Sequence, residues 1–296
     1  MNGRKTGFVG LGTMGRLMAQ RLLDAGVEMR VFDVAEDAVR HFTARGTIGA
    51  ATLAELGAWA DILVLMLPSP ESLHQCLVGP EGAIHALKPG SKVIDMSTSG
   101  PAVVKECGRL LAERGIEMID APVGKGPAAA AKGDLTILMG GNRDTCESLE
   151  WLFRVVGSEM LYCGPLGSGQ VVKLVNNMVS CANAAVLAEA YALAKKAGVD
   201  FSVLNRLMPG TAADSWQLRN TVMAKALGGD FSPAFKLALA RKDMRLARDM
   251  AEYLDGRSDC ASGAIEWYDR AAAAGFGELD RAALLLLADP ELGKAS

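Results

Sequence analysis

Four polar residues stand at i, i+3, i+4 and i+7 in an otherwise apolar stretch, namely Lys173, Asn176, Asn177 and Ser180. At that spacing they form one polar stripe on one face of a helix. Because buried polar groups need partners, a solvated face with Lys173 in water is one interpretation. The other is an acid/base lysine held by an asparagine, since desolvation lowers a lysine pKa toward ~7–8 and suits it to protonate a developing alkoxide.

A glycine-rich turn near the N-terminus predicts a phosphate-binding loop. Gly10, Gly12 and Gly15 follow an apolar run, enclose Thr13 and Met14, and lead into a helical pattern. We expect Gly10 to make the tight turn, Gly12 to admit a pyrophosphate, and Gly15 to let the helix pack on the strand. The helix N-terminus adds unpaired N–H groups. The pattern predicts a dinucleotide site, and a simple glycine-rich turn is the alternative.

An acid, Asp33, ends the next predicted strand. A carboxylate at this point accepts hydrogen bonds from the adenosine ribose and repels a 2′-phosphate. The four residues after Asp33 contain no arginine that would neutralise such a phosphate. NAD is therefore favoured over NADP, although Arg40 on the following helix could still reach the site.

The elements that position these residues follow from the order of apolar runs and helical patterns. Near-continuous apolar runs predict buried parallel strands, and they lie at Thr6–Gly10, Met29–Asp33, Ile62–Met66, Lys92–Asp95, Glu117–Ala121 and Leu135–Met139. From residue 170 to 197 one alanine-rich helical pattern runs without proline or glycine. We predict an α/β fold with an N-terminal Rossmann doubly wound parallel sheet over residues 1–166. An all-α domain over 167–296, joined by the long helix, completes it.

Two further turns fall at the carboxyl edge of the predicted sheet, where ligands of such sheets bind. Leu67 and Pro68 would lie along the adenosine ribose, and the hydroxyls of Ser97 and Thr98 would lie near the nicotinamide. The alternative for both turns is a structural role, in which the proline ends the strand and the serine and threonine cap a helix.

Composition excludes several classes of protein. The chain has 296 residues and a net charge of −3, which gives no reason to expect a nucleic-acid or acidic-membrane partner. Six scattered cysteines and three histidines form no ligand cluster, so no metal is expected, and reduced thiols indicate a cytoplasmic protein. The first predicted strand begins too close to the N-terminus to leave room for a signal peptide. The sequence contains no apolar run of about 20 residues, so we predict no membrane span.

With these motifs in order, the chain resembles the β-hydroxyacid dehydrogenases of the 3-hydroxyisobutyrate dehydrogenase family along its whole length. The matching stretches are 7–15, 120–123, 167–169 with 173–177, and 242–243. The resemblance implies a Rossmann domain and a helical domain, Lys173 as the catalytic lysine, and Asn177 as its orienting partner. It places Thr98 and Lys242 at the cofactor or active site.

One departure bears on the substrate. The family's usual Ser-Gly-Gly after Asp-Ala-Pro-Val is replaced here by Gly124-Lys125-Gly126. Within the family the chain resembles the sulfolactaldehyde reductases, which implies that Lys125, Asn176 and Ser180 hold an anionic end. The resemblance implies NADH-dependent reduction of a short anionic aldehyde, such as 3-sulfolactaldehyde to 2,3-dihydroxypropane-1-sulfonate, and the reverse oxidation.

Several alternatives remain at this point. A lysine is a point charge rather than a bidentate fork, so 3-hydroxyisobutyrate, succinic semialdehyde with 4-hydroxybutyrate, and tartronate semialdehyde stay open as substrates. An imine reductase lacks the lysine found at Lys173, and a non-catalytic NADH sensor would need neither Lys173 nor Asn177. The resemblance also implies a homodimer or homotetramer.

Overall fold

The computed structural model describes residues 3–294. Contacts divide the chain into two compact units, and the division falls between Lys173 and Leu174, within one long helix. The boundary predicted at 166/167 lies just before the same helix, which begins at Ser168.

The first unit alternates strands and helices. Its strands are β1 (Thr6–Val9), β2 (Met29–Phe32), β3 (Ile48–Gly49), β4 (Ile62–Leu65), β5 (Lys92–Asp95), β6 (Glu117–Asp120), β7 (Val123–Gly124), β8 (Leu135–Gly140) and β9 (Gly157–Gly164). Its helices are α1 (Thr13–Asp24), α2 (Glu36–Thr43), α3 (Leu53–Trp59), α4 (Pro70–Val78), α5 (Pro101–Ala112), α6 (Pro127–Lys132), α7 (Arg143–Ser148), α8 (Glu150–Val156) and the start of α9 (Ser168–Lys196). All six predicted strands are present.

The order β3-β2-β1-β4-β5-β6 runs parallel and confirms the predicted fold class. Neighbouring residues of β4 enter two different hydrophobic clusters, Ile62 and Val64 on one face of the sheet and Leu63 and Leu65 on the other. Both faces are therefore covered, which is why this strand reads as an unbroken apolar run. The strand order reverses between β1 and β4, and a crevice opens at such a point outside the carboxyl ends of the strands.

One edge of the sheet departs from the parallel pattern. Strand β8 is antiparallel to β6 and β7, and parallel to β9. The sequence did not predict β3, β7 or β9, because two of them are two residues long and β9 exposes Ser158, Glu159 and Leu161. Such strands carry no apolar run, and only the neighbouring strand specifies them.

The second unit is all-helical, as predicted. It contains the rest of α9, α10 (Phe201–Leu207), α11 (Leu237–Tyr253) and α12 (Asp259–Ala273), with short turns of 3-10 or π helix at Leu218–Met223, Ala226–Gly228, Arg281–Leu287 and Pro290–Lys294. Buried alanines of α9 at 184, 185 and 188 let the backbones of neighbouring helices approach closely, and Tyr191 and Tyr268 fill the same core.

Helix α9 confirms the long helix expected over 170–197. By length and composition alone it passes as a membrane span, with an 18-residue window of mean hydropathy 1.4. The core helix of a soluble protein passes the same test, so the length and composition of α9 are weak support for a membrane span. The buried side chain of Asn177 and the alanines packed into the core of the second unit indicate a core helix.

Candidate active site

The glycine loop between β1 and α1 has the shape that a dinucleotide needs. Gly10 has φ +93°, and a Cβ there would strike the carbonyl oxygen of Met66. A Cβ at Gly15 would strike the carbonyl oxygen of Gly10, whereas a Cβ at Gly12 would meet nothing within 4 Å. Helix α1 starts at Thr13 without a side-chain cap. The first amides of α1 therefore face an open cradle, which fits a pyrophosphate.

Asp33 braces this loop from the end of β2. Its Oδ2 accepts a hydrogen bond from the Leu11 amide at 2.5 Å, and its Oδ1 accepts one from the Ala35 amide at 2.8 Å. Arg40 forms ion pairs with two acidic residues of its own helix, α2. The acid therefore lies beside the loop, and the arginine that could neutralise a 2′-phosphate is already paired.

The loops after β4 and β5 are tied together by Ser97. Its buried hydroxyl accepts a hydrogen bond from the Leu67 amide at 2.8 Å, and its own amide donates to Asp95 Oδ1 at 3.0 Å. Ser97 thus holds the turn that presents Leu67 and Pro68. Its neighbour Thr98 is half-buried on the same turn.

Gln170, near the start of α9, joins that turn to the helix. Its Oε1 accepts hydrogen bonds from the amides of Ser99 and Gly100 at 3.0 and 3.1 Å. Its Nε2 donates to the Ser97 carbonyl at 2.9 Å and to Asp95 Oδ2 at 3.3 Å. Gln170 is fully buried, so all of its hydrogen bonds are made within the protein.

Asp120, the last residue of β6, holds the N-terminus of α9. Its carboxylate accepts hydrogen bonds from the amides of Gly167 and Gln170 at 2.6 and 2.8 Å. Burial raises the pKa of Asp120 to about 6, although these two amides oppose the rise. Neither Asp120 nor Gln170 was predicted as a site residue. Together they dock the start of α9 on the carboxyl ends of the strands, one turn before Lys173.

Asn177 lies one turn beyond Lys173 on α9 and is buried in the second unit. Its Nδ2 donates to Asp243 Oδ2 of α11 at 2.7 Å, and its Oδ1 accepts a hydrogen bond from Asn176 Nδ2 at 3.2 Å. Asp243 therefore decides which way the Asn177 amide points. The half-buried Lys242 has its Nζ 3.1 Å from the other carboxylate oxygen of Asp243.

The predicted anion-binding loop lies at β7 in the first unit. Lys125 is exposed and adopts φ +68°, a left-handed conformation that is rare outside glycine. Its Nζ lies 2.9 Å from Asp134 Oδ2, so the ammonium already has a counter-charge. Gly124 and Gly126 flank it and are half-buried.

Ser180 lies in the second unit, where α9 meets two short helical turns. Its Oγ accepts hydrogen bonds from Gln217 Nε2 at 2.6 Å and from Arg281 Nη1 at 3.1 Å. Sequence reasoning did not single out Gln217 or assign a role to Arg281. Each lies at least 37 residues from Ser180, and no local pattern marks such a pairing.

Two family models match the chain in succession. The NAD binding domain of 6-phosphogluconate dehydrogenase matches residues 5–164, and the NAD-binding domain of NADP-dependent 3-hydroxyisobutyrate dehydrogenase matches residues 167–288. Together they span both units.

Characterised relatives match over nearly the full length. The 3-sulfolactaldehyde reductase of Escherichia coli (strain K12) is 37% identical over 94% of this chain and 93% of its own. The NAD-dependent L-serine dehydrogenase of Pseudomonas aeruginosa is 32% identical over 98% of this chain and 100% of its own. A structure of Mycobacterium tuberculosis 3-hydroxyisobutyrate dehydrogenase with L-serine superimposes with a TM-score of 0.89 at 29% identity, covering 97% and 99% of the two chains.

Proposed function

Since this chain belongs to the 3-hydroxyisobutyrate dehydrogenase-like family of NAD(P)-dependent oxidoreductases, we propose that it reduces a short aldehyde with an anionic end. The product is the corresponding primary alcohol, and the reverse oxidation uses the same site. The preferred pair is 3-sulfolactaldehyde and 2,3-dihydroxypropane-1-sulfonate, which the likeness to the Escherichia coli reductase supports. Succinic semialdehyde, tartronate semialdehyde and 3-hydroxyisobutyrate are the alternatives within the family.

The observation that carries this proposal is the buried hydrogen bond from Asn177 to Asp243. It uses the Nδ2 group of Asn177, and Oδ1, which accepts one hydrogen bond from Asn176, has a second lone pair for another N–H donor. Residues four apart face each other on a helix, which supports Lys173 as that donor. Held in this way, the Lys173 ammonium has one N–H for Asn177 and another for a substrate oxygen.

The proton step belongs to this lysine. NADH, when bound along the loop of Gly10, Gly12 and Gly15, supplies the hydride to the aldehyde carbon. Lys173 donates a proton to the aldehyde oxygen as negative charge develops there. In the oxidation direction, neutral Lys173 accepts the proton of the alcohol.

We propose NAD(H) rather than NADP(H) as the cofactor. Asp33 stands at the end of β2 with its carboxylate fixed by two amides, and Arg40 is paired within α2. A 2′-phosphate would meet a negative charge without a neighbouring free cation to offset it.

A cytoplasmic location is consistent with six cysteines that form no disulfide within residues 3–294.

A homodimer or homotetramer is part of the proposal. Exposed apolar residues recur along one side of α9 at Val175, Val179, Val186 and Leu193, and each is at least 44% exposed. Their spacing is close to a heptad, which is typical of a helix face that packs on another helix. A second copy of this chain is the proposed partner.

The decisive assay compares steady-state NADH oxidation with 3-sulfolactaldehyde and with succinic semialdehyde. We expect kcat/KM to favour the sulfonate about 100-fold, equivalent to about 2.7 kcal/mol. Equal rates, or a preference for the carboxylate, would assign a general semialdehyde reductase. If NADH binds but neither aldehyde is reduced, the proposed reaction is wrong.

A further inference from the structure

The side chain of Gln170, in the first turn of α9, uses its whole hydrogen-bonding capacity on the loop after β5. Its Oε1 accepts hydrogen bonds from the amides of Ser99 and Gly100 at 3.0 and 3.1 Å. Its Nε2 donates to the Ser97 carbonyl at 2.9 Å and to Asp95 Oδ2 at 3.3 Å. A carboxamide has two acceptor lone pairs and two N–H donors, so all four are occupied. Gln170 is 0% exposed, and its side chain is therefore held in one position.

The backbone of Gln170 is fixed to the sheet as well. Its amide donates to Asp120 Oδ2, at the end of β6, at 2.8 Å. A Cβ at the preceding residue, Gly169, would strike the carbonyl oxygen of Leu138, so the first turn of α9 lies directly on β8. Residues 97–100, which we call the Thr98 turn, are thus tied to a side chain whose own backbone is anchored to two other strands.

The same glutamine stands beside the proposed proton donor. Residues three apart are neighbours on a helix, so Gln170 lies one turn before Lys173 on the same side of α9. Both belong to the first unit, which ends at Lys173. Gln170 therefore connects the Thr98 turn, where Thr98 itself is half-buried, to the part of the helix that carries the lysine.

The proposed reaction makes demands on both of these parts. The Thr98 turn is the proposed neighbour of the nicotinamide, and Lys173 is the proposed donor to the substrate oxygen. Hydride transfer and proton transfer act on the carbon and the oxygen of one carbonyl group, and a misplacement of about 1 Å costs about 100-fold in rate. A turn and a helix that shifted independently would lose this alignment.

We propose that Gln170 is a positioning residue that fixes the Thr98 turn relative to Lys173, so that the nicotinamide and the proton donor meet the same carbonyl group. In this role Gln170 acts through the backbone of residues 97–100 rather than by touching the cofactor or the substrate. The inference rests on the proposed function for the reaction, whereas the link between turn and helix exists in the protein without a ligand.

The first test is kinetic. Gln170→Met keeps the length of the side chain and removes its four hydrogen bonds. We expect kcat to fall about 10- to 100-fold while KM for the aldehyde changes less than about 3-fold. The deuterium isotope effect on kcat, from NADH labelled at the transferred hydrogen, should rise because hydride transfer then limits the rate.

The control for a simple loss of stability is Leu56→Ala, which removes a fully buried side chain of α3. It should change neither kcat nor the isotope effect. An unchanged kcat in Gln170→Met, a change in KM alone, or an equal loss of kcat in Leu56→Ala would overturn the assignment.

Gln170→Glu adds a pH profile that a merely structural role would not produce. One oxygen of the introduced carboxyl can still accept from the Ser99 and Gly100 amides, but the other faces the Ser97 carbonyl and Asp95, with Asp120 at the backbone. Only the protonated carboxyl can donate there, and burial beside these acceptors raises its pKa.

The activity of Gln170→Glu is measured as a ratio to the wild type at each pH, because Asp95 and Asp120 are common to both. We expect a ratio near 1 at about pH 6 and a loss of about 10-fold by about pH 8.5. A ratio that does not depend on pH contradicts the proposal, and this profile decides the question if Gln170→Met does not fold.

A measurement without substrate separates this inference from the proposed reaction. Hydrogen–deuterium exchange of the Ser99 and Gly100 amides is followed in the protein alone, and NADH binding is measured by fluorescence. In Gln170→Met both amides lose their acceptor and should exchange at least about 10-fold faster than in Leu56→Ala. If the wild type reduces no aldehyde, faster exchange with weaker NADH binding still supports the link to the cofactor turn, and only the reaction is refuted. Unchanged exchange overturns the inference in either case.

Discussion

Replacing Asp120 by asparagine tests the docking of α9 with a definite sign. Burial raises the pKa of the Asp120 carboxyl from 3.8 to about 6. The folded protein therefore holds this proton more tightly than the unfolded chain does, and the stability that this contributes is lost as pH rises from about 4 to about 6. Above that window the unfolding free energy is about 3 kcal/mol lower than below it, because the ionised carboxyl is less stable in the folded protein than its protonated form.

The asparagine variant lacks this titration, so the comparison isolates it. The carboxamide oxygen of the asparagine accepts a hydrogen bond from one of the two backbone amides, and the other backbone amide faces the NH₂ group without an acceptor. This loss lowers the unfolding free energy by about 1–3 kcal/mol, and it does not depend on pH. Between about pH 4.5 and about pH 7.5, the wild type should lose about 2 kcal/mol of unfolding free energy relative to Asp120→Asn.

The assay is chemical denaturation of both proteins at the two pH values, because the other titrating groups are common to both and cancel. Asp134→Asn serves as a control without a pH-dependent difference, since hydrogen bonds from Ser158 and Lys125 lower the pKa of that exposed carboxyl and it is ionised in the folded and the unfolded chain across this range. If the wild type instead gains stability over Asp120→Asn as pH rises, the two amides outweigh burial. In that case Asp120 is a carboxylate in the folded protein throughout this range.

Three further predictions concern the reaction, the cofactor and the assembly. Lys173→Ala should lower kcat about 10²–10⁴-fold with the NADH dissociation constant nearly unchanged. Lys196→Ala, at the far end of the same helix, is the control and should leave kcat unchanged. A Lys173→Ala variant that keeps most of its rate would show that Lys173 is not the proton donor. Asp33→Ser should move the ratio of kcat/KM for NADH to that for NADPH toward NADPH by about 10-fold or more, and an unchanged ratio would show that another group discriminates. Val186→Asp should reduce the mass in sedimentation to that of one chain, whereas a mass equal to the wild type would remove α9 from the interface.

Local patterns in the sequence predicted most of the framework. The glycine spacing predicted the loop between β1 and α1, because the backbone there tolerates no Cβ at Gly10 or Gly15. The six apolar runs predicted the buried strands, and the run without proline or glycine predicted α9. Each of these signals is contained within about 30 neighbouring residues, where periodicity and steric limits act directly. The roles assigned to Lys173, Lys125 and Thr98 stay predictions.

The partners of the polar groups were decided by the tertiary structure alone. Asp120 meets Gln170 across 50 residues, Asn177 meets Asp243 across 66, and Ser180 meets Arg281 across 101. No pattern in the sequence marks such pairs, because a hydrogen bond requires only that two groups arrive within about 3 Å of each other. The sequence by itself determined the glycine loop, the buried parallel strands and the long helix, and the fold decided which way the Asn177 amide points and which groups Asp120 and Ser180 contact.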